Sequence, residues 1–89
     1  MNKNRRQQLK EWKSRATLWA EQGEALKGEL ESICSDEEMY FDCMPENLQG
    51  SMNGMNSEEA IDKMNEAIEC LDNAIEYVNE AEEYIDEII

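Results

Sequence analysis

The chain contains no histidine, one proline, four glycines and only eight basic residues against 22 acidic ones. Without histidine, the chain lacks the usual general base, the commonest metal ligand and any Ser–His or Cys–His nucleophile pair. Its three cysteines, Cys34, Cys43 and Cys70, are separated by 9 and 27 residues, which does not match a zinc-binding pattern. We therefore expect a protein that is not an enzyme and has no catalytic residues, no cofactor and no metal site.

Long apolar runs are also absent, and no stretch approaches the roughly 20 residues that a membrane span requires. The opening MNKNRRQQLK has no apolar segment behind its charges, so we expect no signal peptide. An odd number of cysteines without a CxxC pair indicates free thiols in a reducing compartment. The sequence therefore predicts a cytoplasmic protein that does not associate with membranes.

The charge of the chain changes along its length. Residues 1–28 carry a net charge of +4, residues 29–57 carry −7 and residues 58–89 carry −11, for a total of −14. An acidic run of this kind is ordinarily the solvated face of a helix, and the alternative is a surface that binds a basic protein. The basic segment is short and has an acidic helix to neutralise it, so we expect no direct contact with nucleic acid.

The second half of the chain carries a heptad pattern. Alanines recur every seven residues, and larger apolar residues follow beside them at three- and four-residue steps, interrupted only by Glu82. The positions are Ala60, Ala67, Ala74 and Ala81, with Ile61, Met64, Ile68, Leu71, Ile75, Val78, Ile85 and Ile89. The pattern predicts a helix over about 57–88 that packs lengthwise on another helix. Cys70, Tyr77 and Tyr84 widen the stripe, so we expect contact with more than one helix.

The first half has the same spacing and predicts a helix over about 4–43. Its predicted seam is Leu9, Trp12, Ala16, Trp19, Gly23, Leu26, Leu30, Ile33, Tyr40 and Met44, interrupted only by Glu37. Gly23 lies on this seam, where it leaves room for a large side chain of the facing helix. A capping box beginning at Ser35 is the alternative, and it would start a separate short helix.

The only proline interrupts this rhythm. Pro45 disfavours a helical conformation at the preceding residue, so the first helix should end near Cys43. Residues 46–49 can form one helical turn that folds Leu48 back onto the bundle, and glycine and asparagine supply turn residues up to 56. The prediction is an all-α single domain over 1–89: an antiparallel, coiled-coil-like helical hairpin with its corner at 44–56. A lone hairpin has a thin core, so we expect a homodimer that forms a four-helix bundle.

The stretch DEEMYFDCMPENLQGS, followed by EEAIDKMNEAIECLDNAIEYV, resembles a group of small uncharacterised acidic proteins of Gram-positive bacteria and their phages or mobile elements. The resemblance covers about residues 33–80 and rests on an acidic run, a Pro-Glu-x-Leu-Gln-x-Ser corner and an Ala-Ile heptad helix. It implies a helical hairpin of mobile-element origin. It implies no activity and no functional residue.

Two functions are compatible with these features. The first is a non-catalytic protein-interaction module, a small acidic oligomeric hairpin that binds a protein partner. Its candidate residues are the closed-end cluster Met39, Tyr40, Phe41, Met44, Pro45 and Leu48, which could otherwise simply cap the core. The alternative is a phage or mobile-element decoy that imitates DNA and inhibits a host nucleic-acid-binding or defence protein. Its candidates are the acidic row Glu66, Glu69, Asp72, Glu76, Glu80 and Glu83.

Overall fold

The computed structural model describes all 89 residues, and it contains three helices and no strand. Helix α1 spans Lys3–Asp42, α2 is one turn over Glu46–Gln49 and α3 spans Met52–Asp86. Helices α1 and α3 pack lengthwise and antiparallel in a rod of 68 × 15 × 14 Å. The predicted all-α helical hairpin is confirmed.

Helix α1 is continuous, so the alternative of a separate helix starting at Ser35 is wrong. At its beginning, the side chain of Asn2 accepts a hydrogen bond of 2.8 Å from the amide of Arg5. At its end, the amide of Cys43 donates to the carbonyl of Met39 at 3.0 Å. The helix thus ends shortly before Pro45, where the restriction that proline places on the preceding residue requires it to end.

Helix α3 begins at Met52, five residues before the expected start near 57, so the corner is shorter than 44–56. Ser51 is the N-cap, and its hydroxyl accepts a hydrogen bond of 3.4 Å from the amide of Gly54. Glycine makes the early start sterically feasible, because a Cβ at position 54 would overlap the backbone carbonyl of Gln49. The single turn of α2 therefore packs directly on the first turn of α3.

From Ile61 to Ile85 the seam of α3 is the one that the heptads predict, whereas Ile89, predicted to continue it, is exposed and lies beyond the end of the helix. Ile75 is only 5% exposed, and its larger neighbours on the seam are half-buried. Gly23 of α1 provides the room expected of it, since a Cβ there would lie 3.2 Å from Cγ1 of Ile75. Only five of the 89 residues are buried, so this core is as thin as its length suggested.

From Trp19 onward, the seam of α1 differs from the prediction by one residue at every second position, while Trp12 is half-buried as predicted. The inward residues are Ala20, Lys27, Cys34 and Phe41, whereas the predicted Trp19, Leu26, Ile33 and Tyr40 are 47%, 58%, 57% and 55% exposed. The prediction favoured the bulkier row. The smaller row packs inward because it lets the two backbones approach at Gly23 and brings the lysine at position 27 within 2.5 Å of Asp72.

Polar seam residues find partners across the hairpin. Glu37 accepts a hydrogen bond of 2.7 Å from the buried hydroxyl of Ser57. Glu82 accepts one of 3.3 Å from Thr17, although its second carboxylate oxygen is buried without a partner. Pairs of this kind satisfy only one alignment of the two helices, so they fix the register of the hairpin at a cost in stability.

Candidate functional site

The closed end of the hairpin gathers the six residues of the closed-end cluster around α2. Met39, Tyr40, Pro45 and Leu48 are exposed, while Phe41 and Met44 are half-buried. The side-chain amide of Gln49 donates to the carbonyls of Phe41 and Met44, both at 3.3 Å, and so ties α2 to the end of α1. Leu48 does not fold back onto the bundle as expected, because Gln49 rather than Leu48 occupies the inner side of the turn.

A small cavity lies within this cluster. It has a volume of about 160 Å³ and is lined by Tyr40, Met44, Leu48, Ser51 and Asn53. The cavity is open to solvent and has an apolar wall with a polar rim. Such a surface can accept one apolar side chain of another protein.

Two exposed methionines lie in the first turn of α3, near the closed end, and sequence reasoning missed them. Met52 and Met55 are 73% and 57% exposed and line a broad groove of about 460 Å³ together with acidic residues of α3. The sequence places them in a turn, where no face can be read. The signal that could have found them is the clustering of methionine, because four of the six lie within residues 39–55. Methionine is flexible and polarizable, and it suits surfaces that adapt to a partner.

The acidic row lies along one side of α3, and all six of its carboxylates are exposed. It extends over about 26 Å at 1.5 Å per residue, which is about one carboxylate per 5 Å. A single DNA strand carries one phosphate per about 3.4 Å. Two of the six have lysine partners, Glu66 at 3.6 Å from Lys63 and Asp72 at 2.5 Å from Lys27. The row is therefore less dense in charge than a nucleic acid strand.

The two long sides of the hairpin differ. One side, the polar flank, carries the ion pairs Lys13–Asp86 and Lys27–Asp72. The bond to Asp72 raises the pKa of the Lys27 amine, with smaller contributions from nearby carboxylates. These contacts join the basic half of α1 to the acidic half of α3, as the charge distribution predicts.

The opposite side, the apolar flank, has no such pairs. It consists of the exposed α1 row Trp19, Leu26, Ile33 and Tyr40 and the α3 row Ala60, Ala67, Ala74 and Ala81. A shallow cavity of about 150 Å³ lies between the two rows, lined mainly by apolar side chains that include Trp19, Leu26, Leu71 and Ala74. The flank has the shape of a step, because a ridge of large side chains on α1 lies beside a low shelf of alanines on α3.

The three thiols are in different environments. Cys34 is buried, with its sulfur 3.6 Å from both a Glu38 carboxylate oxygen and the Asn65 amide oxygen. Burial, followed by the neighbouring Glu38, raises the pKa of this thiol. Cys43 and Cys70 are exposed, and none of the three forms a disulfide.

No protein-family model, no curated protein and no solved structure matches this chain significantly. No group of three or more cysteine, aspartate or glutamate side chains is arranged to hold a metal ion. Neither long helix has an apolar stretch sufficient to cross a bilayer. The apolar flank, the closed-end cluster and the acidic row are thus the features on which a function can be argued.

Proposed function

We propose that this chain is a non-catalytic protein-interaction module: a cytoplasmic homodimer of helical hairpins that binds a protein partner through its closed end. The observation that carries the proposal is the exposure of large apolar side chains at one end of the rod, on Met39, Tyr40, Leu48, Met52 and Met55. Monomeric soluble proteins rarely expose contiguous apolar patches of more than a few hundred Å² without a binding role. The three free thiols are in keeping with a reducing compartment.

Charge around the closed end defines the chemistry of the partner. Residues 29–57 contain seven acidic and no basic residues, and Glu58, Glu59 and Asp62 line the adjoining groove. A partner that fits has an apolar side chain for the closed-end cavity and lysine or arginine residues around it. The apolar contact then supplies most of the affinity, while the charges mainly increase the association rate.

The surface that a single hairpin exposes supports the proposal of a homodimer. The accessible surface is 6766 Å², whereas a compact protein of 10.4 kDa would expose about 5,400 Å². The radius of gyration is 20.0 Å, against about 12 Å for a compact domain of this length. A second copy packed along the rod reduces this surplus surface.

The partner-binding proposal is tested with two exposed closed-end residues. Met39→Ser combined with Leu48→Ser should abolish capture of the partner from a host lysate, with helicity and thermal midpoint unchanged. Leu18→Ser is the matched control, since Leu18 is 54% exposed on the same helix but far from the closed end. Equal capture by the double variant and the wild type would refute binding at the closed end.

A second candidate function is the acidic decoy of phage or mobile-element origin. It is supported by the exposure of all six acidic-row carboxylates on one side of α3. Glu69→Gln, Glu76→Gln and Glu83→Gln together should then weaken capture, and capture should collapse as salt rises from about 50 to 200 mM. Capture that resists salt and depends on Leu48 would favour the interaction module.

A further inference from the structure

We infer that a second copy of this chain docks on the apolar flank with both closed ends at the same end of the bundle. In this order α1 of each hairpin packs antiparallel on α3 of the other, and the two-fold axis runs along the rod. The inference rests on the homodimer proposed above and specifies its face and its orientation.

The step shape of the apolar flank favours this order. When the large side chains of α1 in one copy lie on the alanines of α3 in the other, the space between the two hairpins is filled evenly. When the large side chains of the two copies face each other, a gap remains between the two rows of alanines. Well-packed interfaces alternate large and small side chains in this way, because voids forfeit dispersion contacts. The shape of the flank therefore fits a second copy turned about the long axis.

The levels of the two rows agree with this fit. Between Lys13 and Cys34 of α1, residues that face each other across the hairpin have sequence numbers that add up to 98 or 99, as in Gly23–Ile75 and Lys27–Asp72. Nearer the closed end, the Glu37–Ser57 pair adds up to 94. Every ridge residue and its shelf counterpart add up to 100, which for Trp19, Leu26 and Ile33 is a displacement of one or two residues, or about 1.5–3 Å. The pairs across the dimer are Trp19 on Ala81, Leu26 on Ala74, Ile33 on Ala67 and Tyr40 on Ala60.

Aromatic side chains complete a socket for the largest ridge residue. Tyr77 and Tyr84 lie one row beyond the alanines of α3 and are 69% and 68% exposed. Along the rod axis, Trp19 of the second copy lies between these two tyrosines and packs on Ala81. The tryptophan thus inserts as a knob between two tyrosines, an arrangement that accounts for two aromatic side chains that nothing in the single hairpin covers.

Charges on the docking face are complementary. None of the eleven acidic residues of α3 lies in the alanine row or in the row beside it, which contains Lys63, Cys70, Tyr77 and Tyr84. Lys63 is the only basic residue of α3, and it falls level with Asp36 of the second copy. The basic segment 1–28 lies along the acidic second half of the facing α3, as it does within one hairpin.

The surplus surface of the rod exceeds the area that a standard interface covers. One hairpin exposes about 1,400 Å² more than a compact protein of its mass, while a standard interface removes about 800 Å² from each partner.

Because this order brings the two closed-end clusters to the same end, a protein partner would meet both copies at once.

The orientation is tested by cross-linking two variants that each have one exposed cysteine. Asp36→Cys and Lys63→Cys are each made with Cys43→Ser and Cys70→Ser, leaving the buried Cys34 in place, and are then unfolded, mixed and refolded. A short bismaleimide should link the mixture into a covalent dimer at a yield at least tenfold above that of either variant alone. Light scattering without the reagent gives the oligomeric state.

The outcomes separate the inference from the proposed function. A dimer by light scattering that is not cross-linked in the mixture overturns this orientation and leaves the homodimer intact. A monomer at every concentration overturns both the orientation and the homodimer, while partner capture through the closed end is decided independently by the Met39 and Leu48 variant. A cross-link that forms equally in Asp36→Cys alone also overturns it, because that requires the two Asp36 residues to meet.

Discussion

The two long sides of this hairpin use their side chains differently. On the polar flank, two lysines of α1 reach aspartates of α3 across the hairpin. On the apolar flank, four large side chains of α1 remain about half exposed beside four alanines. One flank therefore carries ion pairs between the two helices, while the other carries the exposed apolar side chains on which we propose that a second copy docks.

The largest effect is expected from a charge placed on the apolar flank, which should weaken dimerisation. Ala74→Glu puts a carboxylate on the shelf, where a second copy would have to desolvate it, so we expect dimerisation to weaken more than tenfold. Asn79→Glu is the matched control, because it adds the same charge to an exposed site on the polar side of α3. Sedimentation equilibrium measures both. Equal dimerisation by the two variants would contradict the assignment of the flanks.

The seam between the flanks contains one defect that can be repaired. One carboxylate oxygen of Glu82 is buried without a partner, and Glu82→Leu removes this cost of about 1–3 kcal/mol. Thr17 keeps a partner, since its hydroxyl also lies 3.0 Å from the carbonyl of Lys13. We expect a higher midpoint in urea denaturation. Glu83→Leu, at an exposed neighbouring site, should change the midpoint little.

Substitution by alanine should change the stability of the hairpin differently at two glycines of α1. Gly28 is surrounded by open space where a Cβ would lie, so Gly28→Ala should stabilise the helix by about 1 kcal/mol. Gly23→Ala gains the same propensity but sets a Cβ 3.2 Å from Ile75, so its gain should be smaller or negative. Urea denaturation compares the two variants. A larger gain at Gly23 would mean that α1 does not approach α3 closely there.

Loss of the Lys27–Asp72 ion pair of the polar flank at alkaline pH should give the smallest change in stability. The pKa of Lys27 is raised above 10.5 by Asp72, so its stabilisation is present below that value and is lost as pH rises through the raised pKa. Lys27→Met should flatten this decline in the urea midpoint. Burial, followed by the neighbouring Glu38, raises the pKa of the Cys34 thiol, so above pH 9.0 the thiol ionises in the unfolded chain before it ionises in the folded one, and the free energy of unfolding falls as pH rises. Both groups therefore lower stability as pH rises, and Cys34→Ser isolates the share of the thiol. An identical decline in wild type and Lys27→Met would exclude the Lys27–Asp72 pair as its source.

The sequence predicts α3 better than α1 for a physical reason. In α3 one apolar stripe dominates, so the heptads identify Ile75 and its neighbours as the seam. In α1 two rows compete, one with Trp19 and Leu26 and one with Ala20 and Lys27, and bulk alone favours the row that the fold leaves outside. The choice depends on close backbone approach at Gly23 and on the distant Asp72, which local periodicity does not encode.

The sequence also indicates only part of the candidate surfaces. The closed-end cluster could be anticipated because Pro45 ends the first helix among apolar residues. Met52 and Met55 could not, because the early start of α3 depends on contact between Gly54 and the carbonyl of Gln49, a tertiary feature. The acidic row was visible from its spacing, but its lysine partners were not.

The tight joint between α2 and the first turn of α3 has a consequence for how the chain folds. Contacts near the joint close short loops, as in Glu37–Ser57 at a separation of 20 residues, whereas Lys13–Asp86 at the far end closes 73. Short loops cost less entropy to close, so the hairpin should nucleate at the joint and zip outward. Amide hydrogen exchange should then be slower in the turns of α3 that follow Gly54 than at the two termini, whose fraying leaves the closed end intact.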